Sequence, residues 1–362
     1  METIYGKVRQ GADYSHAVGE NTRRCRAILD AWPHGARWTV VRLNMRKARM
    51  LGTARARLHT GLLGQSDVSS LPCPGILPAV AAKPSIAIVG PGNLGSALAT
   101  RLHDAGYQVR EIVSPESRNS QKKGRALART VGARFAAASR ARLNSNVVWL
   151  CVPDREISSA ARVLAPQTEW EGKVALHSSG ALASDELQVL RRRGASVASL
   201  HPLMTFVPGS TPALVGVPFA VEGDRAAIRL ARRIVRDLKG ELFTIAKQKK
   251  SAYHAWGAFT SPLLLAALVT AEQVARIAGV DRKTARRRML PIVRQTIENY
   301  VRNGPARAFS GPLIRGDVET VSRHLKALSR VGGARDVYLA LARSALANLP
   351  VRNRKSLKKI LG

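Results

Sequence analysis

The chain has 362 residues, room for about two domains of ordinary size, and its 45% hydrophobic content is that of a globular protein. Its 58 Lys and Arg against 24 Asp and Glu give a formal charge of +34. The cations are spread along the whole sequence with no aromatic residues interleaved as stacking platforms, so solvated basic faces are expected and a dedicated nucleic-acid reader is not.

Residues 1–83 are Arg-rich and irregular, and Leu71 to Pro84 holds five Pro and Gly breakers, as a linker does. No apolar run marks a secretory signal, and Glu2, Asp13, Glu20 and Asp30 count against a transit peptide. A basic, disordered extension is expected over 1–83, with Met45 and Met50 as alternative initiators; a small folded basic module is the other reading. Cys25, Cys73 and Cys151 have neither metal-ligand spacing nor a disulfide framework, which fits a reducing cytoplasm and no metal site.

From Ser85 apolar strand patterns alternate with helical ones. Strands are expected at 86–89, 109–113, 147–152, 174–177, 196–200, 218–221 and 242–245, with a weak one at 134–137. Helices are expected at 94–105, 121–131, 155–164, 183–193 and 225–239. The fold class is α/β: a Rossmann-type, mostly parallel sheet over 84–246, followed by an all-helical domain over 247–362. In that domain helices are expected at 250–277, 282–303, 318–328, 334–346 and 355–360, with Pro262 and Pro291 kinking or breaking their helices. Ala255 to Ala271 is the most apolar stretch; it is short for a membrane span and holds Pro262, so a buried helix in a soluble protein is expected.

The first strand leads into Gly90-Pro91-Gly92-Asn93-Leu94-Gly95. Gly90 permits a tight turn, Gly92 lets backbone approach a pyrophosphate, and Gly95 lets helix pack on strand. The amides of Asn93, Leu94 and Gly95 open the helix, where unpaired N–H groups attract phosphate. The loop after the second strand holds Ser114 and Arg118 and no acid at the strand end, which favours the 2′-phosphate of NADP over NAD; Glu111 takes the ribose role if the strand stops early. Val152 and Pro153 end the next long strand and would lie beside the nicotinamide, with Asp154 read as a helix cap.

Two later strands end in polar clusters, His177-Ser178-Ser179-Gly180 and His201-Pro202-Leu203-Met204-Thr205-Phe206, both expected to open onto the crevice. A histidine there can give or take the proton that accompanies hydride transfer, or can satisfy local backbone groups. Tyr253 and His254, with Ser261 two turns on, form a polar stripe expected to wall a substrate pocket. Arg315 can hold a substrate carboxylate or pair with Asp317, and Asp317 can cap the next helix.

The order GPGNLG, CVPD, ALHSSGAL, SLHPLMTF, YHAWGAFTSP and FSGPLIRGD resembles the Rossmann-like proteins whose helical C-terminal half is the domain of unknown function number 2520. These are similar in plan to pyrroline-5-carboxylate reductase, 3-hydroxyisobutyrate dehydrogenase and 6-phosphogluconate dehydrogenase. The resemblance spans residues 84 to 345. It implies an NAD(P)-dependent oxidoreductase with a small, anionic substrate at the domain junction. His201 or His254 would be the proton donor, Ser178 and Arg315 would position substrate, and the helical domains would form a homodimer. Two departures stand out: Ser261 is followed by Pro262 where the family has Asn, and Ser114 by Pro115 where it has Arg. A non-catalytic dinucleotide-binding or sensory protein is the alternative.

Overall fold

A computed structural model describes residues 82–362, within the second of the chain's two units, Ala79–Gly362. The expectations for 1–83 therefore lie almost wholly outside the described residues.

Eight strands form one sheet in the order β3-β2-β1-β4-β5-β6-β7-β8. They are β1 Ile86–Val89, β2 Val109–Ser114, β3 Arg134–Ala137, β4 Val147–Leu150, β5 Val174–His177, β6 Ser196–Pro202, β7 Pro218–Gly223 and β8 Glu241–Thr244. All neighbours run parallel except β6 and β7. The expected strands all form, and the weak one at 134–137 is the β3 edge.

The short apolar runs are buried on both faces because helices cover both. Ile86 and Ile88 enter one core; Ala87 and Val89 enter the other. On the first face lie α1 (Asn93–Asp104), α2 (Arg118–Thr130) and α5 (Arg225–Asp237), through Leu98 and Leu102, Leu127 and Ala128, and Ala231, Ile234 and Val235. On the second lie α3 (Ile157–Leu164) and α4 (Gln188–Arg191), through Ile157, Ala161, Leu164 and Leu190. Strand order reverses between β1 and β4, which opens a crevice at the carboxyl ends of these strands.

After β8 the described chain is helical: α6 Lys250–Thr260, α7 Pro262–Ile277, α8 Arg282–Ala308, α9 Pro312–Arg315, α10 Val318–Leu328, α11 Ala334–Asn348 and α12 Arg354–Leu361. The chain breaks at Ser261 (φ −130°, ψ −83°), and Pro262 starts α7, where its missing N–H costs nothing. Pro291 lies within α8, which bends at Gly304 (φ 74°). Helices α10, α11 and α12 share a small core of Val321, Leu325, Leu339, Leu346, Leu357 and Leu361.

The apolar stretch 255–271 is not the buried helix its composition suggests. Glu272 is the one buried residue of α7, and Phe259 and Leu265 are 70% and 62% exposed. Glu272 is fixed by Arg286, at 2.7 and 3.1 Å, and by Arg282, which ties α7 to α8.

Candidate active site

The glycine turn is shaped by close backbone approach. Gly90 has φ 100°, and a Cβ there would lie 2.7 Å from the Cys151 carbonyl at the end of β4. A Cβ on Gly95 would lie 2.0 Å from the Gly90 carbonyl. Gly92 is the contrast: nothing lies within 4 Å of a Cβ placed on it. It is also the N-cap of α1 and supplies no side-chain cap, so the first amides of α1 have no side-chain acceptor from it. Val152 lies over this turn, within 3.0 Å of the same Gly90 Cβ position, while Pro153 is exposed beside it. Leu94 packs on the sheet core, and the Asn93 side chain donates to the Phe206 carbonyl at 3.2 Å, tying the turn to the loop after β6.

The end of β2 corrects two expectations. Glu111 is buried and serves no ribose: it pairs with Arg134 and accepts from the Leu143 amide at 2.8 Å. The strand runs to Ser114, which is fully buried, and its hydroxyl donates to the Pro115 carbonyl at 3.1 Å. Arg118 begins α2, exposed and without an ion-pair partner among the described residues.

At the far side of the crevice, β6 delivers His201 to a pocket of about 430 Å³. His254 and Thr260 of α6, Leu203, Met204 and Thr205 of the β6–β7 loop, and Ser261 and Pro262 at the helix break share its lining. Tyr253, buried, meets Nδ1 of His201 at 2.8 Å, and their rings stand edge to face at 5.5 Å. The His201 and His254 rings are 6.3 Å apart. Gly180 lies against both: a Cβ there would be 2.7 Å from Cδ2 of His254 and 3.0 Å from Nε2 of His201. The cluster His177–Gly180 therefore reaches the pocket through its glycine.

Burial sets the protonation states. It pushes His201 down to about 4, with the Lys250 ammonium adding to the effect, and pushes the Tyr253 phenol up to about 12. At neutral pH the phenol keeps its proton and donates to Nδ1, which leaves the imidazole proton on Nε2.

The other candidates have different placements. Ser178 is buried and accepts from the Trp149 indole at 2.8 Å. His177 is wholly buried; Nε2 donates to the Ala183 carbonyl at 3.0 Å and Nδ1 accepts from the Ser179 amide at 3.1 Å, so both nitrogens serve the backbone. Asp154 caps no helix; it accepts from the Ser179 hydroxyl at 2.8 Å. Arg315 is exposed at the end of α9 and does not join the pocket lining. It makes no ion pair with Asp317 among the described residues; Asp317 caps α10 through the Thr320 amide at 3.0 Å.

Lys250 is the group that sequence reasoning passed over, as one cation in the run Lys247 to Lys250. It is 2% exposed, and Nζ donates to the Ser179 carbonyl at 2.9 Å and to the Ser199 hydroxyl. Burial pushes it down to about 8, against the raising effects of Glu222 and Asp154. It joins the start of α6 to the loop carrying Gly180. Its position three and four residues before Tyr253 and His254 was the available signal.

A sheet with this order, carrying a glycine turn at its switch point, defines a Rossmann-type protein. Residues 75–202 match a Rossmann-like domain and residues 217–345 match the domain of unknown function 2520. The chain is thus a Rossmann-like protein with that C-terminal domain, as its motif order suggested. Comparison with curated proteins finds no match. Solved structures share the fold. A candidate NADP oxidoreductase from Bacteroides fragilis is 19% identical, with 72% of this chain and 97% of that one covered and a TM-score of 0.62. An imine reductase from Pseudomonas sp. is 22% identical, covering 78% and 100%, with a TM-score of 0.52. A reductive aminase from Aspergillus terreus, in complex with NADPH and ethyl levulinate, is 18% identical, covering 77% and 99%, with a TM-score of 0.52.

Proposed function

We propose that the chain is an NAD(P)-dependent oxidoreductase, with NADP preferred, that acts on a small anionic substrate in the His201–His254 pocket. One observation carries the reading: a glycine turn open at Gly92 is joined through Asn93 to the loop that lines this pocket. The residues fit a dinucleotide. Gly92 and the amides of Asn93, Leu94 and Gly95 would hold the pyrophosphate, and Val152 and Pro153 would flank the nicotinamide. Arg118, exposed and unpaired among the described residues, would meet a 2′-phosphate. When bound, the cofactor supplies or accepts the hydride.

The protein's part is to position the substrate and to hold a proton. His201 is neutral at pH 7, so its Nε2–H can be shared with a carbonyl oxygen or imine nitrogen in the pocket. Tyr253 fixes the ring and its tautomer, and His254 faces the same space. Lys250 holds the Gly180 loop at its distance. The Lys250 ammonium, close enough to lower the pKa of His201, supports an anionic substrate. The imine reductase and reductive aminase of similar fold support a C=N or C=O group.

We also propose a cytoplasmic homodimer formed through α6–α8. Ile292 and Val301 of α8 are 69% and 78% exposed, alongside the bare leucines of α7. The stretch Lys247–Ile277 is apolar enough to cross a membrane. Its break at Ser261 leaves α7 only 16 residues, about 24 Å against a hydrocarbon core of about 30 Å, so a second copy is the better cover.

The test is turnover of cyclic imines, amines with ketones, and keto acids, each with NADPH and NADH, followed by nicotinamide absorbance. The expected result is activity that is faster with NADPH. Cofactor binding without turnover across the panel overturns the catalytic reading and leaves the sensory one.

A further inference from the structure

The positive charge looks diffuse in the sequence and is segregated in the fold. Helices α1, α2 and α5 form one layer over the sheet and together carry eleven Lys and Arg against two Asp. The helical elements of the opposite layer, from Asp154–Glu156 to Gln188–Arg191, carry three against four. Both acids of the basic layer are already engaged, Asp104 by Arg101 and Asp237 by Lys83 and Arg236.

On α5 the cations form a line. Arg225, Arg229, Arg232 and Arg236 are all exposed, and their spacing of four, three and four residues places them on one helix face over about 16 Å. The first three have no carboxylate partner among the described residues. Lys122, Lys123 and Arg129 of α2 are exposed and equally unpaired. Packing does not require this pattern, since the buried face of α5 is Ala227, Ala231, Ile234 and Val235.

We infer that this helical layer is a docking surface for the phosphate backbone of duplex nucleic acid. A row of guanidinium groups along a helix suits a linear array of phosphates, and each cation engaged releases counterions. No large hydrophobic side chain is exposed on the three helices. The layer therefore lacks the apolar wedge of a membrane-surface helix and the aromatic platform of a single-strand binder. The proposed contacts are to phosphates along the backbone, which position the duplex and carry no sequence information directly.

The test is fluorescence anisotropy of a labelled DNA duplex of about 20 base pairs, titrated with the full chain at about 50 to 200 mM NaCl. The triple variant R225Q/R229Q/R232Q is expected to bind at least tenfold more weakly at about 100 mM salt. Its log-affinity against log-salt slope should be shallower by about 2.7, near 0.9 for each phosphate no longer neutralised. The variant R162Q/R192Q/R193Q removes the same charge beside the opposite layer and should stay within about twofold of the unaltered chain. Should the α5 variant misfold, K122Q/K123Q on α2 must show the same weakening in smaller measure. Absence of binding at the lowest salt, equal weakening in the two triple variants, or tighter binding to vesicles of phosphatidylcholine with phosphatidylserine than to the duplex would overturn the inference.

Discussion

In β1, Ile86, Ala87, Ile88 and Val89 are all buried, and successive side chains enter opposite cores. In α7, sixteen residues bury one side chain, a glutamate. Both segments are apolar, so composition does not separate them. The sheet region finds its covering layers within the chain, because every β–α–β step lays a helix on the strands just formed. Helix α7 lines a groove with α10 and α11, yet Phe259, Leu265, Ile292 and Val301 of α6–α8 stay exposed among the described residues. One region is therefore self-sufficient, and the other leaves part of its apolar surface exposed.

The largest expected effect lies in the self-sufficient region. Gly95→Leu drives a side chain into the Gly90 carbonyl, 2.0 Å from the Cβ position, and should cost about 3 kcal/mol or more in denaturant unfolding. Gly92→Ala meets nothing within 4 Å and should leave the melting temperature within about a degree. Equal destabilisation by the two would show that the turn is not built as described.

Next comes the uncovered region. Ile292→Asp with Val301→Asp places two charges on exposed positions of α8 and should convert a dimer to a monomer in light scattering while the sheet core stays folded. A dimer that persists would place the interface elsewhere.

A third test reads pH. His177 titrates at about 4 when folded and near 6.5 when unfolded. Between those values the unfolded chain binds more protons, so stability is full above 6.5 and falls as pH drops toward 4. The change attributable to this residue is about 3 kcal/mol, and His177→Gln should flatten the slope in that window. His201 acts with the same sign. Urea unfolding at stepped pH measures both.

The smallest effects are at the pocket. Tyr253→Phe removes the hydrogen bond to Nδ1 and frees the tautomer, and should lower kcat about tenfold with KM little changed. Gly180→Ala crowds both imidazoles and should raise KM instead.

Much of this architecture was readable because its causes are local. Four-residue apolar runs bounded by Gly, Pro and polar residues mark buried parallel strands, and Pro262 marks a break in the helical stretch 250–277. The glycine turn and the histidines at strand ends follow from the same patterns. What escaped depends on partners distant in sequence. Lys250 looked like one cation in a solvated run until the Ser179 carbonyl and Ser199 hydroxyl were seen beneath it. Glu111 looked free for a ribose until Arg134 and the Leu143 amide claimed it. The leucines of α7 looked buried because periodicity reports an apolar face and not what covers it.

The central claim is that backbone amides at Gly92 receive the pyrophosphate of a nicotinamide dinucleotide. Calorimetric titration of NADPH into the unaltered chain and into Gly92→Ala tests it directly. Binding to the first, weakened at least tenfold in the second with melting unchanged, is the predicted result. No binding to the unaltered chain, or equal affinity in both, would contradict it.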